Sequence, residues 1–546
     1  MKKILLLLSA CLFITVIAKS QPINFSWAKS MGGKGPDGEI GIAKDAAGDI
    51  YITGEFLGTR TFGTFTLTSY GFSDIFVAKY SSTGTCLWAI NGGGSFSEAY
   101  GGKIAVSGNE VYVTGSFTNV LDFNGLNVSS TGIKDIFVAG LDASNGTCTW
   151  LKSAGSVFND VPYGIEISAT GGFLLCGTFT GTATFGTQTV VSSSISDFDI
   201  FYAKYTSAGI CTWVKRIGNT GVDKAYDIKE LPSGNILLTG TFEGSVLFGT
   251  GINLTSYGFP DFFLASFDAS GITNWAVKGG GQNNDAGYGI SVDPLGNIYA
   301  TGFIGDTATF GPVTINNAGG INVMVAKFSP TGVCSWVKMG GNVVDDIGYD
   351  IATDFGGSSY VTGYINGSCY FGTTQVSGVA AIDVFVAKYD NAGLLRWITK
   401  IGASSDDRGR AILVEPNGFC IVAGDYGDNV AFGTTGLTAD PGSFGVFLTR
   451  MGGGTLDINE PGSRQFSMFP NPANDFVQLN LQNIKDDGFT LSLYGIDGKL
   501  VHSEMLSQKN AVSDYKLDLQ KFAAGTYSLK LETSKGDFSQ ILIVGK

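Results

Sequence analysis

Ten residues after each of the chain's seven tryptophans stands an acid: Asp37, Glu98, Asp160, Asp223, Asp285, Asp346 and Asp407. Carboxylates at a fixed spacing can hold Ca2+, act as the acid and base of a glycosidase, or cap backbone N–H groups in a turn. A glycosidase needs one special pair in one or two repeats. Seven near-equal copies point to a shared structural task, an Asx-type turn bond that fixes the loop entering each repeat. The functional reading is a ring of acids that binds Ca2+ or a sugar. Doubled acids at Asp345-Asp346 and Asp406-Asp407 make these four the candidates for a metal site or for polysaccharide chemistry, although no EF-hand spacing surrounds them. Three residues beyond the acid come Tyr163, Tyr226, Tyr288 and Tyr349, with Ile40 in the first copy and Arg410 in the last. Their rings can pack between repeats or stack on sugars.

The lone histidine is His502, close to the C-terminus. Ser-His-Asp and Cys-His nucleophilic machinery and His-based zinc sites are therefore excluded from the body of the chain. Glycine runs such as Gly92-Gly93-Gly94 precede no helical pattern, so a strand-loop-helix phosphate cradle is excluded too. With 34 basic and 47 acidic residues the net charge is -13, which argues against a nucleic-acid partner. No catalytic residue and no cofactor is assigned; Ca2+ is the one ion these acids suit.

What must position these residues is a repeat. Trp27, Trp88, Trp150, Trp213, Trp275, Trp336 and Trp397 are separated by 61 to 63 residues, and a glycine follows each by 27 positions, from Gly54 to Gly424. Eight further on stands a phenylalanine, from Phe62 to Phe432, and then an Asp-apolar-Phe step such as Asp74-Ile75-Phe76. That step is altered in two copies, to Asn322-Val323-Met324 and Gly445-Val446-Phe447. Each repeat reads as about four short strands with an arm between the second and third, and a Gly-Asp or Gly-Asn turn between the first two. Segments of variable length, such as residues 188–197, are expected at exposed tips. With 80 glycines, 44% hydrophobic residues and only 15% charged ones, the composition suits strands and turns.

Four strands repeated seven times can close into a propeller or extend as a solenoid. The ends favour closure. The seventh repeat stops before its Trp-bearing strand, and the chain opens with that strand, Phe25-Ser26-Trp27-Ala28. A seven-bladed β-propeller over residues 21–452, sealed by its N-terminal strand, leaves no open sheet edge. Cys86, Cys148, Cys211 and Cys334 each lie two residues before a tryptophan, and strand alternation would place them on the same face as that ring. They are expected to be small buried residues and not disulfides, with Thr273 and Leu395 in the same place elsewhere.

Segments such as Gly296-Asn297-Ile298-Tyr299-Ala300-Thr301-Gly302 and Asp135-Ile136-Phe137-Val138-Ala139 resemble the bacterial SBBP β-propeller repeat. The resemblance implies a propeller on a secreted bacterial protein and brings no shared catalytic residues. Lys2 and Lys3 before an apolar run over residues 4–18, with Ala18-Lys19-Ser20 following, mark residues 1–20 as a signal peptide. A lipoprotein reading of Leu8-Ser9-Ala10-Cys11 competes with it. No transmembrane segment is expected.

Residues 453–465 read as a linker. From 466 to 546 the grammar changes to a small β-sandwich: Met468-Phe469-Pro470-Asn471-Pro472-Ala473, then Leu491-Ser492-Leu493-Tyr494-Gly495-Ile496-Asp497-Gly498-Lys499, then Ala524-Gly525-Thr526-Tyr527-Ser528-Leu529-Lys530-Leu531. These motifs resemble the type A sorting domain of the type IX secretion system. The resemblance implies export through that machinery, removal of the domain, and release or attachment at the surface of a Bacteroidota-type bacterium. The functional expectation is a non-enzymatic, secreted or surface-bound scaffold for a glycan or protein partner, with a polysaccharide-active enzyme as the alternative.

Overall fold

The structure is a computed structural model and describes residues 23–32, 39–95, 98–100, 102–317, 319–378, 382–439, 444–453, 467–469, 473–481, 488–495, 500–507, 514–533 and 536–545. Every regular element in them is a strand. The chain forms two compact units that divide between Gly452 and Gly453. Residues 1–20, Asp37 and the stretch 454–465 lie outside the described residues.

The first unit repeats one antiparallel sheet. In the first copy Gly41–Lys44, Ile50–Phe56, Asp74–Tyr80 and Cys86–Gly92 pair in chain order. The turn between the first two carries Gly48 at φ 89°, where a Cβ is disfavoured; Gly234, Gly296 and Gly418 repeat it at φ 79° to 82°. The expected arm is a hairpin of Thr59–Phe62 and Phe65–Thr68. Its Phe62 is buried against Phe76, with ring centroids 4.9 Å apart. Gly54 lies under that same ring, since a Cβ there would fall 2.9 Å from Phe76 Cε1. The glycine, the arm phenylalanine eight residues on and the Asp-apolar-Phe step thus form one packing unit, with the variable length taken up by the arm tip. Residues 188–197, expected at an exposed tip, are exposed at half their positions and part-buried at most of the rest, with Val190 tucked under.

First strands lie side by side in order. Gly41–Lys44 neighbours Ile104–Ser107, followed by Val161–Ile167, Lys224–Glu230, Asp285–Val292, Ile347–Thr353 and Asp407–Val414, which lies again beside Gly41–Lys44. The sheet holding Asp407–Val414, Phe419–Gly427 and Phe444–Gly453 takes its fourth strand from the other end of the chain, Ile23–Gly32.

The cysteines correct an expectation. A β-bulge interrupts the pairing of third and fourth strands at the same step in successive sheets, between Lys79 and Tyr80 in the first. Cys86 therefore pairs with Tyr80 while Trp88 pairs with Lys79, and one extra residue between them breaks the two-residue alternation. Cys86 packs into the core of its own sheet, whereas Trp88 joins the core of the next sheet together with Cys148. Each tryptophan is an inter-sheet clamp. Gly84, Gly146, Gly209, Gly332 and Gly393 in the following sheets leave no room for a Cβ over the rings of Trp27, Trp88, Trp150, Trp275 and Trp336. Trp88 Nε1 donates to Ala143 O at 3.1 Å and Trp336 Nε1 to Asn391 O at 3.2 Å. The seven described cysteines are all free thiols.

The second unit is a β-sandwich. A sheet of Ser467–Phe469, Phe476–Asn480 and Asp514–Asp518 and one of Leu500–Ser507, Gly488–Gly495, Gly525–Thr533 and Gly536–Val544 share a core of Val477, Leu479, Leu491, Leu493, Leu529 and Leu531. His502 Nε2 lies 3.2 Å from Glu504 Oε1 in this unit. Pro470, Asn471, Pro472 and the turn Ile496-Asp497-Gly498-Lys499 lie outside the described residues.

Candidate functional site

The acid ring is inward and committed. Asp160, Asp223, Asp285, Asp346 and Asp407 are fully buried. In each, one carboxylate oxygen accepts the backbone N–H four residues before it and the other the N–H twenty residues after. For Asp346 these are Asn342 N at 2.9 Å and Asn366 N at 2.7 Å; for Asp407, Ala403 N at 3.0 Å and Gly427 N at 3.2 Å. Each acid thus ties the end of one sheet's outer strand to the end of the next sheet's second strand. Burial pushes the carboxyls of Asp223, Asp285, Asp346 and Asp407 up to about 7. Glu98 keeps the position with its own backbone N–H bonded to Thr118 Oγ1 at 2.9 Å.

Asp345 and Asp406, the other two candidates, point elsewhere. Asp345 is exposed and accepts Ile321 N at 3.3 Å, in a shallow recess beside Phe259, Asn283 and Asn284 where it is the one lining carboxylate. Asp406 pairs with Arg408 at 3.0 Å. Among the described residues no group of three or more His, Cys, Asp or Glu side chains is placed to hold a metal ion.

Truncating one of these buried acids strands two backbone N–H groups, at about 1–3 kcal/mol each. Asp407→Ala should therefore destabilise the first unit by about 2–6 kcal/mol, and Asp407→Asn by less, as read from chemical denaturation midpoints.

The tyrosines three residues beyond the acids converge. Tyr163, Tyr226, Tyr288 and Tyr349 sit on successive first strands, and their ring centroids are 5.1, 4.7 and 5.7 Å apart in sequence. They form an arc along the inner strands, half-buried, with tilted rings that present edges. Among the described residues none of the four hydroxyls has a hydrogen-bond partner, and burial raises the pKa of all four. The packing reading of these residues is what the rings display: each packs against the next along the first strands.

The arc ends in charge. Arg410 lies over Tyr349, 4.7 Å from its centroid, and both Arg410 and Arg408 pair with the buried Asp425, at 2.7 and 3.3 Å. Next along the inner strands Lys229 pairs with Glu166 at 3.1 Å and Asp227 at 3.7 Å, and Lys103 with Glu39 at 3.6 Å. Asp227 and Asp350 cap N–H groups on the neighbouring first strand, Ile290 N at 2.9 Å and Ile412 N at 2.8 Å. Burial pushes Asp350 up to about 6, opposed by Lys103.

Four tyrosines in consecutive sheets, two arginines in another, and Lys103 and Gly41 at the position held elsewhere by Asp227 and Asp350 make the inner wall chemically one-sided. The sequence singled out the tyrosines and Arg410. It did not single out Lys103, Glu166, Lys229 or Asp425, whose only signal is charge on otherwise apolar strands.

Residues 467–545 match the family described as secretion system C-terminal sorting domain. The chain is similar to an uncharacterized WD repeat-containing protein of Acanthamoeba polyphaga mimivirus, at 25% identity over 453 residues, or 67% of this chain. The chain spans 32% of that relative's length. Among solved structures it is similar to the quinohemoprotein alcohol dehydrogenase of Comamonas testosteroni (11% identity, TM-score 0.41, covering 83% of this chain and 79% of that one). It is also similar to a europium-containing methanol dehydrogenase, at 10% identity and TM-score 0.34, covering 79% of this chain and 93% of that one. The fold is an all-β propeller with a sorting tail that marks it for export, to secretion or to the cell surface. No helix in the described residues is long and apolar enough to cross a membrane.

Proposed function

We propose that this chain is a non-enzymatic, exported bacterial propeller of the SBBP type, seven-bladed and sealed by its N-terminal strand, whose inner tyrosine arc binds a glycan. The unpartnered hydroxyls of Tyr163, Tyr226, Tyr288 and Tyr349 carry this reading. Half-buried phenols with free O–H groups on a rigid wall suit the hydroxyls and apolar faces of sugar rings. The sorting tail supports delivery to the cell exterior, where polysaccharides are met. A signal peptide at residues 1–20 and a Bacteroidota-type source belong to the same reading.

A polysaccharide-active enzyme is the less supported alternative, because both oxygens of Asp346 and of Asp407 are occupied by backbone N–H groups. On an array of bacterial and plant polysaccharide fragments the mature protein should bind at least one class. Tyr226→Phe and Tyr288→Phe, which remove only a hydroxyl, should each weaken that binding about tenfold, the worth of one hydrogen bond. Unchanged binding in both variants would place the ligand elsewhere, and turnover lost on Asp345→Ala or Asp406→Ala would overturn the non-enzymatic reading.

A further inference from the structure

Five of the sheets bury a second acid, one that the sequence shows only as part of a strand motif. Asp74, Asp135, Asp199, Asp261 and Asp383 open the third strands, and Asn322 holds the same place. Close by, three residues after each tryptophan, stand Asn91, Ser153, Arg216, Lys278, Met339 and Lys400, paired with Phe76, Phe137, Phe201, Phe263, Met324 and Phe385. Two of these acids meet a cation at that position. Arg216 meets Asp199 at 2.6 Å and Lys400 meets Asp383 at 3.2 Å. Asn91 Nδ2 donates to Asp74 at 3.2 Å, and neutral Asn322 is matched by neutral Met339.

Asp261 breaks the pattern. Its cation, Lys278, turns away over the Tyr257 ring, 3.3 Å from the centroid, and donates to Thr255 O. Asp261 Oδ2 accepts Tyr257 N at 2.7 Å, but Oδ1 is buried without a partner. What faces it is Asp285 of the next sheet, itself fully buried, with Oδ2 accepting Gly281 N at 2.8 Å and Oδ1 accepting Gly305 N at 3.0 Å. A Cβ on Gly280 would lie 2.4 Å from Asp261 Oδ1 and 2.6 Å from Asp285 Oδ2, so both oxygens converge over a residue without a side chain. The two carboxyls lie within hydrogen-bonding reach. Two bare carboxylates in that position would repel, and one proton between them removes the repulsion and gives the orphan oxygen a partner.

We propose that Asp261 Oδ1 and Asp285 Oδ2 share one proton, so that the contact between these two sheets is stabilised in mild acid and weakened in alkali.

Of the other charged groups facing the pair, Asp306 favours the shared proton, and the charge of Lys278 opposes it but is outweighed by burial. Asp306, which accepts Gln282 N at 3.0 Å, adds negative charge nearby, and Lys278 is engaged elsewhere. Burial, the largest cause, pushes Asp261 up to about 6 and Asp285 up to about 7. Both values are raised above the unfolded carboxyl, near 3.9, so the stabilisation is complete below about pH 4 and is lost as pH rises through 6 to 7.

The test uses the mature full-length protein and Asp261→Asn, whose amide can donate to Asp285 at every pH. Unfolding of the wild type at pH 6 in two buffers of different ionisation heat should release protons, and the variant should release about one fewer. Between pH 5 and pH 8 the wild type should lose melting temperature more steeply than the variant, which becomes the more stable of the two at pH 8. Equal proton release and parallel melting curves would overturn the shared proton. Should Asp261→Asn fail to fold, the infrared difference spectra of the wild type and of Asp285→Asn between pH 5 and pH 8 still decide. A protonated-carboxyl band that fades with rising pH and is smaller by about one carboxyl in Asp285→Asn than in the wild type upholds the proposal, and equal bands overturn it.

Discussion

A mature chain shortened to begin at Gly33 is expected to lose cooperative folding, and to be cut by protease at loops that the intact protein protects. The removed strand, Ile23–Gly32, is the fourth strand of the sheet built by Phe444–Gly453, and it serves two cores at once. Ile23, Phe25 and Ala28 pack with Val384, Val422 and Phe447, Phe25 lying 5.8 Å from the Phe432 ring. Met31 and Trp27 pack on the other side, with Ile52, Phe76 and Leu448. Thr449 Oγ1 donates to Trp27 O at 2.8 Å, and Arg450 reaches Ser26 Oγ at 3.2 Å. Deletion would bare both cores and the whole hydrogen-bonding edge of Phe444–Gly453, an edge that natural sheets protect. Met31 is fully buried, so even Met31→Ala should cost about 2–5 kcal/mol. A shortened chain that melts in one transition at the wild-type temperature would show that the ring does not depend on this strand.

The propeller was legible because its periodic contacts are local. Tryptophan, glycine, arm phenylalanine and Asp-apolar-Phe fall within about fifty residues of one another, so fixed packing leaves fixed spacing. What stayed hidden depends on registers between strands. Cys86 and Trp88 alternate in sequence, yet a bulge opposite Tyr80 sends them into different cores. Asp261 and Asp285 are 24 residues apart, and only the fold of Gly280 between them shows that their oxygens meet. The pairing of third-strand acid and cation was in principle readable in two sheets, since Arg216 and Lys400 both stand three residues beyond a tryptophan. Reading it required the pairing of third and fourth strands to be known to the residue. The tyrosine arc was visible as a spacing, but the mutual packing of its rings and its free hydroxyls follow from how first strands line up around the centre.

Removing residues 467–545 should leave the propeller folded and stop it from reaching the cell exterior. The two units divide at Gly452 and Gly453, and each closes its own core: Val477, Leu491, Leu529 and Leu542 contact one another and no propeller residue belongs to their cluster. Since neither core is completed by the other, the shortened protein should keep its melting temperature within about 1 °C, the expectation for separately folding domains. Export is a different matter, because the matched sorting domain marks the chain for export. In the producing bacterium the full-length protein should appear in the medium or on surface-labelled cells, and the shortened one should be retained inside the envelope with a loss of at least tenfold outside. Leu529→Asp, which places a charge in the fully buried centre of the sandwich, should reproduce that loss without touching the propeller. Equal export of full-length and shortened chains would mean that the tail is not the address, whereas a fall in propeller stability on shortening would mean that the two cores are coupled. The two readouts are independent, so the experiment tests the separation of folding from delivery as well as the delivery itself.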